Sequence, residues 1–293
     1  MRVLTAHISY ASRGDVIRVK PFYDIHLGTK SCDEKKLDAD IAEVLADPNA
    51  YAILGGDMAE FINRSDKRFR QSELASWLQG PIDDIADGQI EYTLAKFRPL
   101  AATGKILAVL SGNHEVLILK RYERDVFQEI VRGLRKGDRR IGIGYEGFLT
   151  IYVQRTSPRK RKGGLGGEID KQDSWRVVFY LHHGYGGGIL EGGHALTLGR
   201  IFKSYNCDVA LLGHRHVTAH LTNVQLEVSP HGVLRERHQV AAFCGSYRRS
   251  YREDDGKESD NASYEEEKGN SPHVVGPPWV KLYPDDRLAK IEI

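Results

Sequence analysis

The stretch Ile106-Leu-Ala-Val-Leu-Ser-Gly-Asn-His-Glu115 joins a short apolar run to a polar turn. A run of this length bounded by glycine is typical of a strand buried inside a sheet. The polar residues follow directly, so the pattern predicts them at the carboxyl edge of that sheet. Ligands gather at this edge in open α/β sheets, and the turn therefore marks a candidate functional site.

Four more short segments repeat the arrangement of a predicted strand followed by metal-binding residue types. These are residues 16–23 before Asp24-Ile-His26, 51–55 before Gly56-Asp57, 175–182 ending in His182-His183-Gly184, and 208–212 before Gly213-His-Arg-His216. If the strand ends meet at one crevice, they bring together Asp24, His26, Asp57, Asn113, His183, His214 and His216.

This mixture of carboxylate, amide and imidazole favours a borderline divalent metal over an all-oxygen Mg²⁺ or Ca²⁺ site. Seven donors are too many for one tetrahedral ion, whereas a bridging carboxylate holds two ions roughly 3.5–4 Å apart. The sequence therefore predicts two divalent ions as cofactors, with Mn²⁺ the first choice and Fe²⁺ or Zn²⁺ the alternatives. Two such ions activate water for attack on a phosphate ester.

The order of the predicted elements indicates the fold class. Helical spacing or helix-forming composition occurs in residues 33–46, 72–98, 116–136 and 193–205. Further strands are predicted in 146–155, 217–245 and 288–293. Strand–helix alternation followed by strands predicts an α/β protein, a two-sheet β-sandwich flanked by helices. We expect one domain over residues 1–293, with a mobile, mainly acidic insertion at 252–271.

The five motifs, taken in order over residues 24–216, resemble the calcineurin-like metallophosphoesterase superfamily. The resemblance implies a four-layer α/β/β/α fold and hydrolysis of a phosphoester by a hydroxide between two metals, in line with the leaving group. It implies that one metal is held by Asp24, His26, Asp57 and His216, and the other by Asp57, Asn113, His183 and His214. His114 is then no ligand but the catalytic group that assists the leaving oxygen. His182 remains the alternative to His183.

Departures from known branches narrow the expected activity. The Ser/Thr protein phosphatases carry Asp-Arg-Gly shortly after the bridging aspartate, where this chain has Met58-Ala-Glu-Phe61. No tyrosine matches the metal-bound one of purple acid phosphatases. The plain donor set is most similar to repair nucleases and small phosphodiesterases, and residues 61–69 resemble phage and bacterial members. We therefore predict a phosphodiesterase or nuclease, with a phosphomonoesterase and a non-catalytic scaffold as alternatives.

Basic and glycine-rich segments lie near these motifs. The segment Arg159–Lys162 is predicted at a hairpin tip, where it either contacts a nucleic-acid backbone or is simply solvated. A loop carrying Arg64, Lys67, Arg68 and Arg70 either lies over the site and contacts substrate phosphate, or these residues form an exposed helix or loop face. Residues 184–188 lack the Lys-Ser/Thr of a phosphate-binding loop. The expected partner is a phosphoester, with DNA or RNA as one class.

Composition sets the remaining bounds. The chain has 293 residues and a formal net charge of +2, which argues neither for nor against nucleic acid. Its three cysteines, Cys32, Cys207 and Cys244, show no metal or disulfide spacing and are expected to be buried free thiols. No apolar run reaches the roughly 18–20 residues of a membrane span. We therefore expect no membrane partner and a reducing, cytoplasmic setting.

Overall fold

In the parts of the chain that the structure describes, the strands form two mixed sheets of six strands each. The computed structural model describes residues 1–62, 64–78, 84–156, 174–187, 190–228, 232–251, 266, 269 and 272–293. In chain order the strands are β1 (Arg2–Tyr10), β2 (Ile17–Phe22), β3 (Ala50–Leu54), β4 (Ile106–Leu110), β5 (Gly142–Gly144), β6 (Glu146–Arg155), β7 (Ser174–His182), β8 (Val209–Leu212), β9 (Thr218–Val228), β10 (Leu234–Cys244), β11 (Trp279–Tyr283) and β12 (Leu288–Glu292). Sheet one has the order β1-β6-β7-β8-β10-β9, and sheet two has the order β12-β11-β2-β3-β4-β5.

Burial explains the strand patterns. Strand β4 is buried along its whole length, as expected for a short parallel strand covered on both faces. Strand β1 alternates instead, with Leu4, Ala6, Ile8 and Tyr10 turned inward. Strands β1, β5 and β11 were not predicted from the sequence. In β1 and β11 one face of the strand is partly exposed, so the apolar residues that would indicate a strand are interrupted by other residues.

The helices are α1 (Glu34–Ala46), α2 (Ile85–Ala102), α3 (Asn113–Tyr122), α4 (Val126–Leu134) and α5 (Glu191–Ser204). Two of the four predicted helices are wrong in extent. The prediction over 72–98 meets short 3₁₀ turns at Gln71–Glu73 and Ser76–Leu78, and the helix begins only after its N-cap, Asp84. The sequence Gly80-Pro81 lies in this interval, and such a pair is unfavourable inside a helix.

The prediction over 116–136 covers two helices. The first begins at Asn113 and ends at Glu123, which adopts a left-handed conformation with φ 55°. The second begins after Asp125, whose side chain accepts a hydrogen bond from the backbone N–H of Gln128 at 2.9 Å. One helix therefore ends and a second helix with its own N-cap begins, and apolar periodicity alone does not reveal this break.

Three apolar clusters separate the layers. One cluster lies between the two sheets and includes Ile8, Val19 and Phe179. A second packs sheet two against α1, α2 and α4, and a third packs sheet one against α5. The order helix, sheet, sheet, helix is the predicted four-layer sandwich, and the fold-class prediction is confirmed.

Other predictions meet the structure more briefly. All three cysteines are buried free thiols, as predicted. In the described parts of the chain, no helix combines the length and apolarity needed to cross a bilayer. The segment Arg159–Lys162 lies outside the described residues, as does the predicted insertion at 252–271 apart from residues 266 and 269.

Candidate metal centre

The candidate donors lie at one edge of the sandwich because parallel strands of both sheets end there. Strands β2, β3 and β4 run parallel in sheet two, and β7 runs parallel to β8 in sheet one. The turns that follow are tight. Five of the candidate donors have a left-handed backbone: Asp24 (φ 48°), His26 (φ 56°), Asp57 (φ 48°), His214 (φ 71°) and His216 (φ 54°). Such conformations in non-glycine residues concentrate at functional sites.

The first cluster of donors combines Asp24, His26 and His216, whose candidate ligand atoms all lie within 4.8 Å of one another. The Nε2 atoms of His26 and His216 are 3.1 Å apart. Asp24 Oδ1 lies 3.9 Å from His216 Nε2. Two ring nitrogens and a carboxylate oxygen therefore face a common point.

The second cluster combines Asp57, His183 and His214, again within 4.8 Å. Asn113 Oδ1 contacts both of its imidazoles, 3.0 Å from His183 Nε2 and 2.7 Å from His214 Nδ1. Asn113 is the first residue of α3, so the start of that helix presents the amide to the cluster. The second point is thus surrounded by carboxylate, amide and imidazole.

Asp57 lies between the two clusters. Its Oδ2 atom is 3.4 Å from His183 Nε2 and 3.9 Å from His26 Nε2. Its Oδ1 atom accepts a hydrogen bond of 2.9 Å from the backbone N–H of His114. One carboxylate therefore faces donors of both clusters, which is the arrangement that a bridging ligand requires.

The donor set fits divalent cations. Asp24 Oδ1 is fully buried and has no hydrogen-bond partner in the described structure, although it faces the ring nitrogens of His183 and His216. A buried carboxylate oxygen in this state is expensive unless a cation compensates it. The same atoms, oxygen and imidazole nitrogen, are the ligands of borderline divalent metals. The two clusters thus have the chemistry of divalent metal sites.

The buried ionisable groups at the site change one another's pKa values. Burial raises the pKa of Asp24 to about 8, and the carboxylate of Asp57 adds to this increase. Burial also acts to raise the pKa of Asp57, but the imidazoles of His183 and His114 outweigh it and hold that pKa well below its usual range. Burial lowers the pKa of His216 well below its usual range, and the neighbouring His26 adds to this decrease. These pKa shifts favour a buried carboxylate anion at Asp57 and a neutral imidazole at His216.

The two histidines of the His182-His183 pair face different surroundings. His183 is fully buried, and its Nδ1 lies 3.0 Å from the carbonyl oxygen of Gly55, which directs Nε2 toward Asp57 and Asn113. His182 Nδ1 instead accepts a hydrogen bond of 2.7 Å from the backbone N–H of Gly184, and its Nε2 lies 3.8 Å from Glu146 Oε2. Only His183 belongs to a donor cluster in the described residues.

His114 lies at the border of the clusters. Its Nδ1 is in hydrogen-bond contact with the carbonyl oxygen of Glu60, and its Nε2 is 3.9 Å from Asp57 Oδ2. Burial lowers the pKa of His114, but the carboxylates of Asp57 and Glu60 outweigh burial and raise it. Its atoms also form a group with Asp57 and His26, so proximity alone does not distinguish a ligand from a proton donor here.

Glu115 and two glycines hold the loops that carry the donors. The Glu115 carboxylate accepts hydrogen bonds from the backbone N–H groups of Asp57 (3.0 Å), Met58 (2.8 Å) and Gly112 (2.8 Å). Gly56 has φ 90°, and a Cβ atom there would lie 2.6 Å from the nitrogen of Gly112. The glycines of both motifs therefore allow two loops to touch at the site.

Sequence reasoning missed Glu60 and Arg248. The Oε2 atom of Glu60 lies 2.8 Å from His26 Nδ1, and Arg248 Nη1 lies 3.6 Å from Glu60 Oε1. Glu60 lies three residues after Asp57 in an otherwise apolar segment. A charged residue in such a segment could have indicated that Glu60 belongs to the site. Arg248 lies far from every motif and carries no such signal.

The four basic residues after Asp57 differ in position. Arg64 and Lys67 are exposed. Arg68 forms a salt bridge with Asp66 at 3.1 Å, and both Arg68 and Arg70 line a cleft beside His114. Two of the four basic residues therefore lie next to the donor clusters, and the other two are exposed.

Comparison with known proteins gives one family. The model of the family described as calcineurin-like phosphoesterase matches residues 24–218, two thirds of the chain. This match confirms the resemblance inferred from the motifs. A search of curated proteins gives no match for this sequence.

Proposed function

The chain belongs to the calcineurin-like phosphoesterase family, and from this premise we propose that it hydrolyses phosphodiesters with two divalent metal ions. Family membership makes it a metal-dependent hydrolase acting on phosphoester bonds. The observation that carries the proposal is the pair of donor clusters with Asp57 between them. The three buried free thiols favour a reducing, cytoplasmic setting.

We assign the donors as the two clusters suggest. The first ion would be held by Asp24, His26, Asp57 and His216, and the second by Asp57, Asn113, His183 and His214. Bound ions supply Lewis acidity toward the phosphoryl oxygens and lower the pKa of the attacking water. Mixed oxygen and imidazole donors favour Mn²⁺, with Fe²⁺ or Zn²⁺ as alternatives.

His114 is the proposed catalytic residue. The contact of its Nδ1 with the Glu60 carbonyl fixes the ring and leaves Nε2 directed toward the reaction centre near Asp57. From this position it donates a proton to the leaving oxygen or stabilises the charge that develops there. Glu60 is the positioning residue for this ring and also contacts the ligand His26.

The segment that follows Asp57 favours a diester over a protein phosphomonoester. The segment Met58-Ala-Glu-Phe61 lacks the Asp-Arg-Gly of the Ser/Thr phosphatases. A cleft beside the donor clusters has His114, Arg68 and Arg70 in its wall, together with Glu60 and Glu73. Nucleic acid is one class of diester substrate.

The test is a substrate panel with metal-stripped enzyme reloaded with Mn²⁺, Zn²⁺ or Fe²⁺. The substrates are bis-p-nitrophenyl phosphate, p-nitrophenyl phosphate, and labelled single- and double-stranded DNA. We expect turnover of the diester to exceed that of the monoester at equal concentration, and to vanish with excess chelator. Faster monoester hydrolysis would replace the diesterase proposal by a monoesterase. Failure of every loaded form on every substrate would remove the proposal that this chain is catalytic.

A further inference from the structure

A groove at the side of the sandwich, here called the basic groove, has a strongly basic wall. It lies between α4 and the edge strands β1 and β5 of the two sheets, and its cavity volume is about 520 Å³. Among the nine described residues that line it, three are arginines (Arg2, Arg135 and Arg140) and none is acidic. Ligand sites span roughly 300–1,000 Å³, so the basic groove has the size of a binding site.

The charge of this surface comes mainly from one short segment. Residues 132–140 contain five basic residues and one acidic residue, a formal charge of +4, whereas the whole chain carries only +2. The five are Arg132, Arg135, Lys136, Arg139 and Arg140. Lys136 Nζ donates to the carbonyl oxygen of Ala102 at 2.7 Å. Arg139 Nη1 donates to that of Gly104 at 3.2 Å, so both contacts hold the segment against the end of α2.

Arg135 and Arg140 are the residues of this segment that line the basic groove. Both are exposed, and neither forms a salt bridge within the part of the chain that the structure describes. Arg2 lines the same wall and donates through Nη1 to the carbonyl oxygen of Gly142 at 3.5 Å. Three like charges on one concave wall attract an anion. Guanidinium groups bind phosphate oxygens through paired hydrogen bonds, so the groove has the chemistry of a phosphate site.

A second cavity continues from the basic groove toward the metal centre. It has a volume of about 420 Å³, shares Arg2 and Gln128 with the groove, and extends along β5 to Tyr145. The ring of Tyr145 meets the ring of His183 edge to face, with 5.3 Å between the ring centroids. The path that starts at the basic groove therefore ends beside the second donor cluster.

The second cavity is lined by three acidic residues, and each of them accepts hydrogen bonds from the protein itself. The Glu115 carboxylate accepts three backbone hydrogen bonds. Asp125 accepts one from the backbone N–H of Gln128, and Glu146 accepts one from the hydroxyl of Tyr180, each at 2.9 Å. Their negative charges disfavour phosphate in the second cavity. Phosphate contacts are therefore expected at the arginines of the basic groove.

Only a long anion reaches both the metal centre and the basic groove. Arg140 precedes Tyr145 by five residues, which in an extended backbone is at most about 17 Å. One strand of DNA rises about 3.4 Å per nucleotide, so about five nucleotides cover this distance. A small diester that occupies the metal centre does not reach the arginines.

We propose that the basic groove binds the phosphate backbone of a polynucleotide whose scissile phosphate lies at the metal centre. The proposal rests on the diesterase function argued above and names nucleic acid as its substrate class. Arg135 and Arg140 contact phosphates about five nucleotides away from the scissile bond. Because these contacts are made to the backbone, they strengthen binding without selecting a base sequence.

Binding is tested with metal-free protein in excess chelator, where no strand is cleaved. The probe is a fluorescein-labelled, single-stranded thymidine 16-mer, and its affinity is measured by fluorescence anisotropy over a range of salt concentrations. We expect the double variant Arg135→Gln/Arg140→Gln to bind the 16-mer about 3–30-fold more weakly at low salt. The slope of log K against log salt should fall by about 1.4, because each lost phosphate contact removes about 0.7.

Hydrolysis is tested with Mn²⁺-loaded enzyme on a thymidine 4-mer, the 16-mer and bis-p-nitrophenyl phosphate. The 4-mer is too short to reach the basic groove from the metal centre, whereas the 16-mer is long enough. We expect the 16-mer to have the higher kcat/KM per scissile bond, and we expect the double variant to lose this advantage through KM. Its rates on the 4-mer and on bis-p-nitrophenyl phosphate should be unchanged.

The matched control is Arg200→Gln/Lys203→Gln, which removes two exposed basic residues from α5. This helix packs on β9 and β10, at the opposite end of sheet one from β1. Thermal unfolding of both double variants checks that the fold is intact. Equal 16-mer affinity and salt slope in the two variants overturn the inference, as does a wild-type enzyme whose kcat/KM is the same for both strand lengths. Failure to hydrolyse any of the three substrates would instead remove the proposed function, whereas binding to the metal-free protein is measured independently of it.

Discussion

Replacing Glu115 by glutamine tests whether the last residue of the Gly-Asn-His-Glu motif is a structural support and not a metal ligand. The Glu115 carboxylate is 1 % exposed and accepts three backbone hydrogen bonds, from Asp57, Met58 and Gly112. Two of these residues belong to the loop that presents the proposed bridging carboxylate. The substitution keeps the shape of the side chain and replaces one acceptor oxygen by a donor.

The magnitude follows from counting acceptors. If the remaining oxygen keeps the N–H groups of Asp57 and Gly112, the buried N–H of Met58 loses its partner. A buried donor without an acceptor costs about 1–3 kcal/mol. We therefore expect Glu115→Gln to lower the free energy of unfolding by about 1–3 kcal/mol. Glu115→Ala leaves all three donors without a partner and should lower it by about 3–9 kcal/mol, a large part of the usual 5–15 kcal/mol.

The assay is urea unfolding of metal-free protein in chelator, followed by Mn²⁺ titration calorimetry. Glu115→Gln should move the urea midpoint down at an unchanged m-value and weaken Mn²⁺ affinity about 10–100-fold, as residues supporting a ligand typically do. The matched control is Glu91→Gln on the exposed face of α2, which should change neither quantity. If Glu115→Gln unfolds at the midpoint of this control, the assigned role is wrong.

Three further predictions concern the site and the loop beside it. Asp57→Asn should abolish Mn²⁺ binding, measured by calorimetry, together with diester turnover, and retained activity would contradict a bridging role. His114→Ala should keep both ions and lose about 10²–10⁴-fold in kcat, whereas loss of an ion would show that His114 is a ligand. The Asp66 carboxylate accepts hydrogen bonds from Arg68 and forms an ion pair with Arg121, and these contacts lower its pKa to about 2. Asp66 therefore stabilises the fold at any pH above its unfolded pKa of about 3.9. This stabilisation is lost as the pH falls through about 2. Asp66→Asn should therefore cost about 1–2 kcal/mol at pH 7 in urea unfolding, and a difference from wild type that persists unchanged near pH 2 would contradict this origin.

Much of the centre was predictable because its chemistry is carried by short local patterns. Each donor follows a buried strand within four residues, and a parallel strand can end only at the edge it shares with its neighbours. Apolar runs such as Ile106–Leu110 are visible in a single sequence, and so are the glycines that follow them. The fold class followed from the order of the same runs, which needs no knowledge of side-chain contacts.

The features that escaped prediction depend on long-range contacts. Arg248 reaches Glu60 only because the loop after β10 packs against the loop after β3. The helix predicted over 72–98 begins thirteen residues later, at Ile85, because apolar spacing does not register the capping residue Asp84. His182 and His183 have identical chemistry, and only the register of β7 against β6 decides which ring turns inward.

Backbone conformation is a further reason why the residue types alone do not determine the geometry of this site. Asp24 and Asp57 both have φ 48°, a conformation that non-glycine residues adopt rarely. Each is held there by the other loop: the backbone N–H of Asp24 donates to the carbonyl of Gly56 at 3.2 Å, and the N–H of His26 donates to the carbonyl of Asp57 at 3.0 Å. Because each turn supports the other, backbone hydrogen bonds orient the two carboxylates. Without this support the two negative charges would repel each other. The arrangement of carboxylates is therefore built into the fold, and a divalent ion bound there would meet donors that need little rearrangement.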